Sequence, residues 1–150
     1  MINKTQANNN NHGFTLIELL VVISIIGILA GLLLLNFVGV RGRAGDTKIK
    51  NDFRQLKSAL RLYYNDNQNY PATAAMPASG AFDDGGSTIY MKELPADFTY
   101  YSDGDETFLL QATLDNPGDE DITASQTQCG SEITEYSVTP TTSDYFVCQD

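Results

Sequence analysis

An almost unbroken apolar run near the N-terminus constrains this chain more than any other feature. The run extends from Phe14 to Val40, 27 residues, and Glu18 is its only charged residue. A helix rises about 1.5 Å per residue, so about 20 such residues cross the apolar core of a bilayer. The sequence therefore predicts a single transmembrane helix over residues 14–40.

Two ordinary explanations of this run are weak. A cleaved signal peptide has an apolar region of about 7–15 residues and small residues at its cleavage site, whereas this run is longer and Arg41 and Arg43 come just after it. A plain membrane anchor leaves Glu18 unexplained, because a charge at this depth costs about 2–3 kcal/mol and usually has a partner. No basic residue lies within two helical turns of Glu18. A free α-amino group, created by cutting the chain just before Phe14, would supply the positive charge.

Charge divides the chain into a basic stem and an acidic head. Residues 14–62 hold seven basic and three acidic residues, a net charge of +4, and residues 63–150 hold one basic and sixteen acidic residues, a net charge of −15. Phosphates are repelled by such a head, so we do not expect the head to bind nucleic acid. A solvated surface on an exported domain is the simpler interpretation.

The hexapeptide GFTLIE at residues 13–18 resembles the signature of type IV prepilins and type II secretion pseudopilins, and the resemblance extends to about residue 60. It implies that residues 1–13 are a leader, which a prepilin peptidase removes on the cytoplasmic face by cutting between Gly13 and Phe14. The new amine of Phe14 would then be N-methylated. Glu18 would pair with the Phe14 amine of a neighbouring subunit during filament assembly.

Two features depart from the family pattern. The leader carries only Lys4, while several basic residues follow the apolar run, and the positive-inside rule then favours the opposite orientation. We follow the motif, which requires a cytoplasmic N-terminus. Longer pilins of the family often have a proline about twenty residues into the mature helix, and none is present here. Glycines are expected to weaken the helix instead, since each costs about 1 kcal/mol relative to alanine: Gly27, Gly31, Gly39, Gly42 and Gly45. The spacing of the first two also permits close helix approach.

Beyond the apolar run, the helix is expected to continue through a stem, residues 41–66. Apolar residues recur there at spacings of three and four, which predicts a stripe that faces a sheet: Ile49, Phe53, Leu56, Leu60 and Tyr63. A basic stripe follows one residue later: Lys50, Arg54, Lys57 and Arg61. This stripe is either a solvated face or a contact with the acidic head of a neighbouring subunit. In the second case, high salt should loosen the filament.

The segment 65–71, with four Asn or Asp residues and a closing Tyr-Pro, predicts the end of the helix. Residues 72–97 are expected to form a loop. The β-prone runs 98–101 and 107–114 are separated by a turn-rich segment, which predicts a hairpin.

The remaining residues are expected to complete a small sheet. The segment Asn116–Asp119 predicts a type II turn, since it places Pro and Gly at the central positions. Shorter strands are expected at residues 135–139 and 144–148. The predicted fold class is α+β: a long N-terminal helix packed on a small antiparallel sheet, with the head formed by residues 67–150.

The two cysteines, Cys129 and Cys148, are expected to form a disulfide if the head lies outside the cytoplasm. The closed loop of about 20 residues would contribute about 3 kcal/mol on the chain-entropy model. It resembles the disulfide-bounded region of type IV pilins more than that of a typical major pseudopilin.

Carboxylates are the only candidates for chemistry in the head. Four aspartates in acidic clusters are weak calcium candidates, because Ca²⁺ prefers oxygen ligands: Asp103, Asp105, Asp119 and Asp121. No other metal or cofactor is expected. The sole histidine, His12, lies in the predicted leader, and no nucleophile–base pair is visible, so we do not expect an enzyme.

These features favour a structural subunit of a type IV pilus-like filament. It would begin as a single-pass protein of the cytoplasmic membrane, with a cytoplasmic N-terminus, and then enter an extracellular or periplasmic filament. Its partners would be copies of itself, the prepilin peptidase and a pilus or secretion assembly platform. The alternatives are a pseudopilin of a type II secretion or competence (DNA-uptake) system and a membrane-tethered acidic binding module. The cysteine loop places the pilus first.

Overall fold

The structure, a computed structural model, describes residues 13–149, and for residues 33–40 it describes the backbone alone. The predicted leader therefore lies outside the described residues, apart from Gly13. The chain divides into two units, Met1–Val38 and Gly39–Asp150. The elements follow in the order α1 (Leu16–Asn67), β1 (Phe82–Asp83), β2 (Ile89–Met91), β3 (Thr99–Tyr101), β4 (Leu109–Thr113), α2 (Glu120–Gln128), α3 (Gly130–Glu135) and β5 (Asp144–Cys148).

In the first unit, the described residues form the beginning of α1. This helix runs without a break through all five glycines that were expected to weaken it. Melting of the helix within a filament stays a prediction.

Two antiparallel sheets form the head in the second unit. β1 pairs with β2, and β3, β4 and β5 form a three-stranded sheet with β4 at its centre. On β4, Leu110 lies opposite Tyr100 of β3 and Val147 of β5. The predicted hairpin between residues 98 and 114 is confirmed, and so is the α+β fold class.

The apolar stripe of the stem forms one side of the main core. Phe53, Leu56 and Leu60 are almost completely buried and pack with residues of β3 and β4, while Ile49 and Tyr63 are partly buried at the margin. Full burial of each such side chain stabilises the fold by about 1.5–3 kcal/mol. The prediction that this face of the helix contacts the sheet is confirmed.

The polar segment after the stem ends α1 as predicted. Asn67 is its last residue, and Gln68 adopts the left-handed conformation with φ of 60°, donating its backbone N–H to the carbonyl of Tyr64 at 2.7 Å. Tyr70 is buried, and the hydroxyl of Tyr100 donates to the carbonyl of Pro71 at 2.8 Å. These contacts attach the end of the helix to the sheet.

The segment 72–97, expected to be a loop, is partly regular. It contains a 3-10 turn at Thr73–Ala75 and the two-stranded sheet of β1 and β2. The strands are too short to show an alternating pattern. Their position is fixed by an aromatic cluster, in which the ring of Phe82 lies 5.4 Å from both Tyr63 and Tyr90.

The strand expected at residues 135–139 is absent, because Glu135 ends α3 and a turn and an irregular segment follow it. Helices α2 and α3 precede this segment and were not predicted. Asp119 caps α2 by accepting a bond from the N–H of Asp121 at 3.0 Å, and only Ile122 and Ser125 are buried along the helix. The preceding turn is closed by the N–H of Asp119 and the carbonyl of Asn116, but it is not of type II, because Gly118 lacks the required positive φ. The side chain of Asn116 accepts from the N–H of Gly118 instead.

α2 lies along β5 and bonds to its backbone through side chains. The N–H of Phe146 donates to the hydroxyl of Ser125 at 3.1 Å, and the amide of Gln126 donates to the carbonyls of Thr141 and Asp144. The disulfide between Cys129 and Cys148, with Cα atoms 5.7 Å apart, joins the end of α2 to the end of β5. The predicted strand 144–148 and the predicted cysteine pairing are both present.

A buried carboxylate fixes the stem to the segment before α2. Asp46 is only 2% exposed and accepts bonds from the N–H groups of Asp115 (2.7 Å) and Asn116 (3.1 Å). Two glycines of α1 leave room for this contact. A Cβ at Gly42 would lie 3.3 Å from the Cβ of Asp115, and one at Gly45 would lie 3.7 Å from its carboxylate.

We predict that Asp46→Ala destabilises the head by about 1–3 kcal/mol, because two partly buried N–H groups lose their charged acceptor. The measurement is denaturant unfolding of the full chain in detergent micelles. Asp52→Ala on the same helix is the control and should change stability by less than about 0.5 kcal/mol. Equal effects of both substitutions would contradict the role of Asp46.

Candidate functional site

The predicted cleavage point lies just before α1. Gly13, Phe14 and Thr15 precede the helix, and the side chain of Phe14 is 77% exposed. The Oγ1 of Thr15 accepts a bond from the backbone N–H of Glu18 at 3.3 Å. The Gly13–Phe14 bond is therefore exposed and outside regular secondary structure, as a proteolytic site requires.

Glu18 lies in the first turn of α1 with its side chain exposed. Across residues 13–149, no hydrogen bond or ion pair involves its carboxylate, although its backbone N–H is bonded. Within the described residues, the Glu18 carboxylate therefore has no partner, as the sequence predicted. Its pairing with an amine of another subunit stays a prediction.

The apolar side chains around Glu18 are exposed on every side of the helix. Their exposed fractions run from 46% at Val22 to 83% at Leu16. Contiguous apolar surface of this kind marks contact with a membrane or with other protein chains. At Gly27 and Gly31 a Cβ would meet nothing within 4 Å, so neither position is filled from within the chain.

Among the residues that the structure describes, no helix reaches the length and apolar character needed to cross a membrane. The predicted span, residues 14–40, includes residues 33–40, whose side chains lie outside the described part. The transmembrane helix stays a prediction.

The basic stripe of the stem contacts the head of its own chain at Lys50. The Nζ of Lys50 lies 2.6 Å from a carboxylate oxygen of Asp119 and 2.7 Å from one of Asp121, and 5.9 Å from the centre of the Tyr145 ring. Its side chain is 13% exposed. For Lys50, the expectation of a solvated face or a contact with a neighbour is wrong, since this residue holds the beginning of α2. The rest of the stripe stays untested.

The ion pair shifts the titration of both partners. Burial alone favours the neutral amine of Lys50, but its bonds to Asp119 and Asp121 raise the pKa of Lys50 above the usual 10.5. The bond from Lys50 lowers the pKa of Asp119 below its usual 3.8. Both shifts keep the groups charged in the folded head at neutral pH.

The four aspartates expected to be weak calcium ligands lie in two separate environments. Asp119 and Asp121 bind the ammonium of Lys50, and Asp103 and Asp105 lie exposed in the hairpin turn. Within residues 13–149, no three His, Cys, Asp or Glu side chains lie where they could hold one metal ion. His12 lies outside the described residues. Calcium binding is untested.

The sequence did not reveal the structural roles of three residues. These are Thr15, Asp46 and Lys50, the last of which forms an ion pair within its own chain. Thr15 had a readable signal, because threonine followed three residues later by glutamate is a capping pattern. Asp46 and Lys50 act on residues 69 to 71 positions away along the chain, and no local pattern encodes such distances.

Comparison with known proteins agrees with this geometry. The family model of the prokaryotic N-terminal methylation motif matches residues 8–34, which include the predicted cleavage point and Glu18. Type II secretion system core protein G of Aeromonas hydrophila is 40% identical over 96 residues, covering 57% of this chain and 65% of that protein. Core protein G of Vibrio cholerae is 34% identical over 123 residues, covering 72% of this chain and 82% of that protein. The chain belongs to the pilin and pseudopilin family.

A pilin relative shares a shorter segment. Type IV major pilin protein PilA of Myxococcus xanthus is 36% identical over 63 residues, which cover 42% of this chain and 29% of PilA. No solved structure matches the chain. Membership of the pilin and pseudopilin family therefore rests on sequence, and the head is described by the present structure alone.

We predict that Lys50→Gln lowers the stability of the head by about 1 kcal/mol, the size expected for a partly exposed ion pair. Lys48→Gln, at an exposed position of the same helix, is the matched control. Chemical unfolding of the full chain in micelles measures both. If the two variants unfold alike, the ion pair does not stabilise the head.

The same ion pair predicts a pH dependence. Because the folded pKa of Asp119 is lowered, its contribution to stability is present above the unfolded pKa of about 3.8 and is lost as the pH falls through the lower folded value. The raised pKa of Lys50 gives a second loss above about pH 10.5. Stability measured from pH 2 to 12 should fall at both limits, and Lys50→Gln should flatten the curve at each.

Proposed function

We propose that this chain is a pseudopilin of a type II secretion system, a subunit whose N-terminal helices bundle into a short filament. The observation that carries the proposal is Glu18, an exposed carboxylate without a partner among the described residues, set in an apolar helical surface and four residues after Phe14. A charge in such a surface is costly unless an opposite charge reaches it.

Processing would create that opposite charge. Hydrolysis of the Gly13–Phe14 bond by a prepilin peptidase leaves a carboxylate on Gly13 and a protonated amine on Phe14. Transfer of one methyl group to the amine keeps its positive charge. In a bundle of copies, the amine of one subunit can approach Glu18 of the next, while the apolar side chains of α1 cover one another.

The relatives favour a secretion filament over the surface pilus that the sequence analysis placed first. This chain covers 82% of the Vibrio core protein G but only 29% of PilA. The disulfide loop favoured a pilin, but it covers only the C-terminal part of the head, whereas the match to core protein G covers most of the chain. The proposed partners are the cytoplasmic membrane, the prepilin peptidase, copies of this chain and a secretion assembly platform.

Deletion of the chain from its host should abolish secretion by the type II pathway and leave surface pili present. The measurement is an assay of secreted enzymes together with electron microscopy of the cell surface. Loss of surface pili with normal secretion would instead support the pilin, the first expectation from the sequence.

Processing predicts a defined mass for the mature chain. We expect the protein from native membranes to begin at Phe14 and to be heavier by one methyl group, about 14 Da. Intact-mass spectrometry with N-terminal sequencing measures both. A chain that begins at Met1 in active cells would favour the membrane-tethered acidic module.

Glu18→Gln should reduce filament assembly more than tenfold while leaving membrane insertion unchanged, because more than about 1.4 kcal/mol of pairing energy is lost. The readout is the fraction of mature chain that sediments as filament. Glu120→Gln, an exposed substitution on the head, is the control and should assemble normally. Normal assembly of the Glu18 variant would contradict the proposed role of the carboxylate.

A further inference from the structure

We infer that Arg41 and Arg43 form a binding site for anionic phospholipid headgroups at the outer surface of the cytoplasmic membrane. These two residues are called the arginine collar below. The inference rests on the proposed function in one respect, which is that the apolar run 14–40 lies in the membrane with its N-terminus on the cytoplasmic side. It adds a lipid of defined charge to the partners of the chain.

Both guanidinium groups of the collar are available to a ligand. Arg41 and Arg43 lie on α1, and their side chains are exposed. Across residues 13–149, neither side chain forms a hydrogen bond or an ion pair. A guanidinium group donates two parallel bonds to phosphate, so a phosphate ester is a partner that suits it well.

The carboxylates beside this stretch of α1 do not neutralise the collar. Asp46 is only 2% exposed and accepts bonds from two backbone N–H groups of the head. The carboxylate of Asp115 faces two glycines, since one of its oxygens would lie 3.8 Å from a Cβ at Gly42 and 3.7 Å from one at Gly45. Neither carboxylate forms an ion pair with an arginine in the described part of the chain. The collar therefore keeps both positive charges.

Helix geometry places the two arginines on different sides of α1. Successive residues turn by about 100°, so Arg41 and Arg43 are about 200° apart around the axis and differ in height by about 3 Å. A protein that packs on one face of the helix reaches one of them, whereas headgroups surround a helix and reach both. The Cα–Cβ bonds of a helix also tilt towards its N-terminus. Both side chains therefore leave the helix in the direction of the apolar run.

The length of the apolar run places the collar at the depth of the headgroups. The run has 27 residues and measures about 40 Å as a helix. The apolar core of a bilayer is about 30 Å thick, and the bilayer with its headgroups is about 40–45 Å thick. With Phe14 at the cytoplasmic surface, Arg41 lies among the headgroups of the opposite leaflet.

The collar gives a physical role to the charges that depart from the positive-inside rule. Residues 41–48 contain three basic residues and one acidic residue, whereas the predicted leader contains only Lys4. Positive charge just outside the membrane is unfavourable for a cytoplasmic N-terminus. Anionic headgroups offset that effect, because each basic residue near an anionic surface strengthens binding by about fivefold.

Lipid retention by the full chain tests the collar. The chain is placed in nanodiscs that contain equal amounts of anionic phosphatidylglycerol and zwitterionic phosphatidylcholine, and native mass spectrometry counts the lipids of each kind that stay bound. Arg41→Gln together with Arg43→Gln removes the collar, and lysine at both positions keeps its charge. Arg54→Gln together with Lys92→Gln is the matched control, because it also removes two exposed charges. Arg54 lies about 20 Å further along α1 than Arg41.

We expect the wild type and the control to retain phosphatidylglycerol in preference to phosphatidylcholine. The double glutamine variant of the collar should lose this preference by more than about fivefold, and the double lysine variant should keep most of it. An unchanged preference in the double glutamine variant would overturn the inference, and so would an equal loss in the control. Displacement of the lipid by inorganic phosphate at constant ionic strength would show a site for free anions and overturn the assignment to lipid.

Flotation of the chain with vesicles separates this inference from the proposed function. If the wild type floats with vesicles of neither lipid, the membrane placement in the proposed function fails, and the collar fails with it. If the double glutamine variant floats normally and retains as much phosphatidylglycerol as the wild type, only the collar is wrong. Weaker self-association of that variant in detergent, with unchanged lipid retention, would assign the arginines to an acidic protein surface and overturn the inference.

Discussion

The apolar surface of the first part of α1 requires a cover that lipid or other chains must supply, and a single carboxylate lies within that surface. Apolar area removed from water stabilises by about 25 cal/mol per Å² in either environment. On the proposed function, the two environments would differ at Glu18, because the apolar core of a membrane offers no opposite charge, whereas another copy cleaved before Phe14 would offer an amine. On the proposed function, transfer of the helix from membrane to bundle would relieve one electrostatic cost while the apolar surface stays covered.

Two charged residues of the stem attach one short segment of the head to it. Asp46 holds the backbone at Asp115 and Asn116, and Lys50 holds Asp119 and Asp121. Both residues lie on α1, one turn apart on the same helix. The apolar core fixes the sheet against the stem, while these two polar contacts fix where α2 begins.

The sequence predicted those features of the fold that depend on neighbouring residues or on a periodic apolar pattern. The stem stripe at Phe53, Leu56 and Leu60 follows helical spacing, and the Tyr-Pro after the helix marks its end. α2 escaped detection because its burial relies on one isoleucine and one serine, too little for a periodic apolar pattern. At the candidate site, the motif around Glu18 was predictable because it is contiguous. The partners of Lys50 and Asp46 depend on tertiary packing, which no local rule supplies.

The cover of β5 by α2 has a consequence for the proposed filament, in which the heads would be crowded together. An uncovered strand edge offers its backbone to any neighbour and can seed cross-β aggregates. Here Ser125 and Gln126 occupy backbone groups of that edge, and the disulfide to Cys148 keeps α2 in place. In the proposed filament, the backbone groups of β5 that α2 occupies would then be closed to strand exchange between crowded heads.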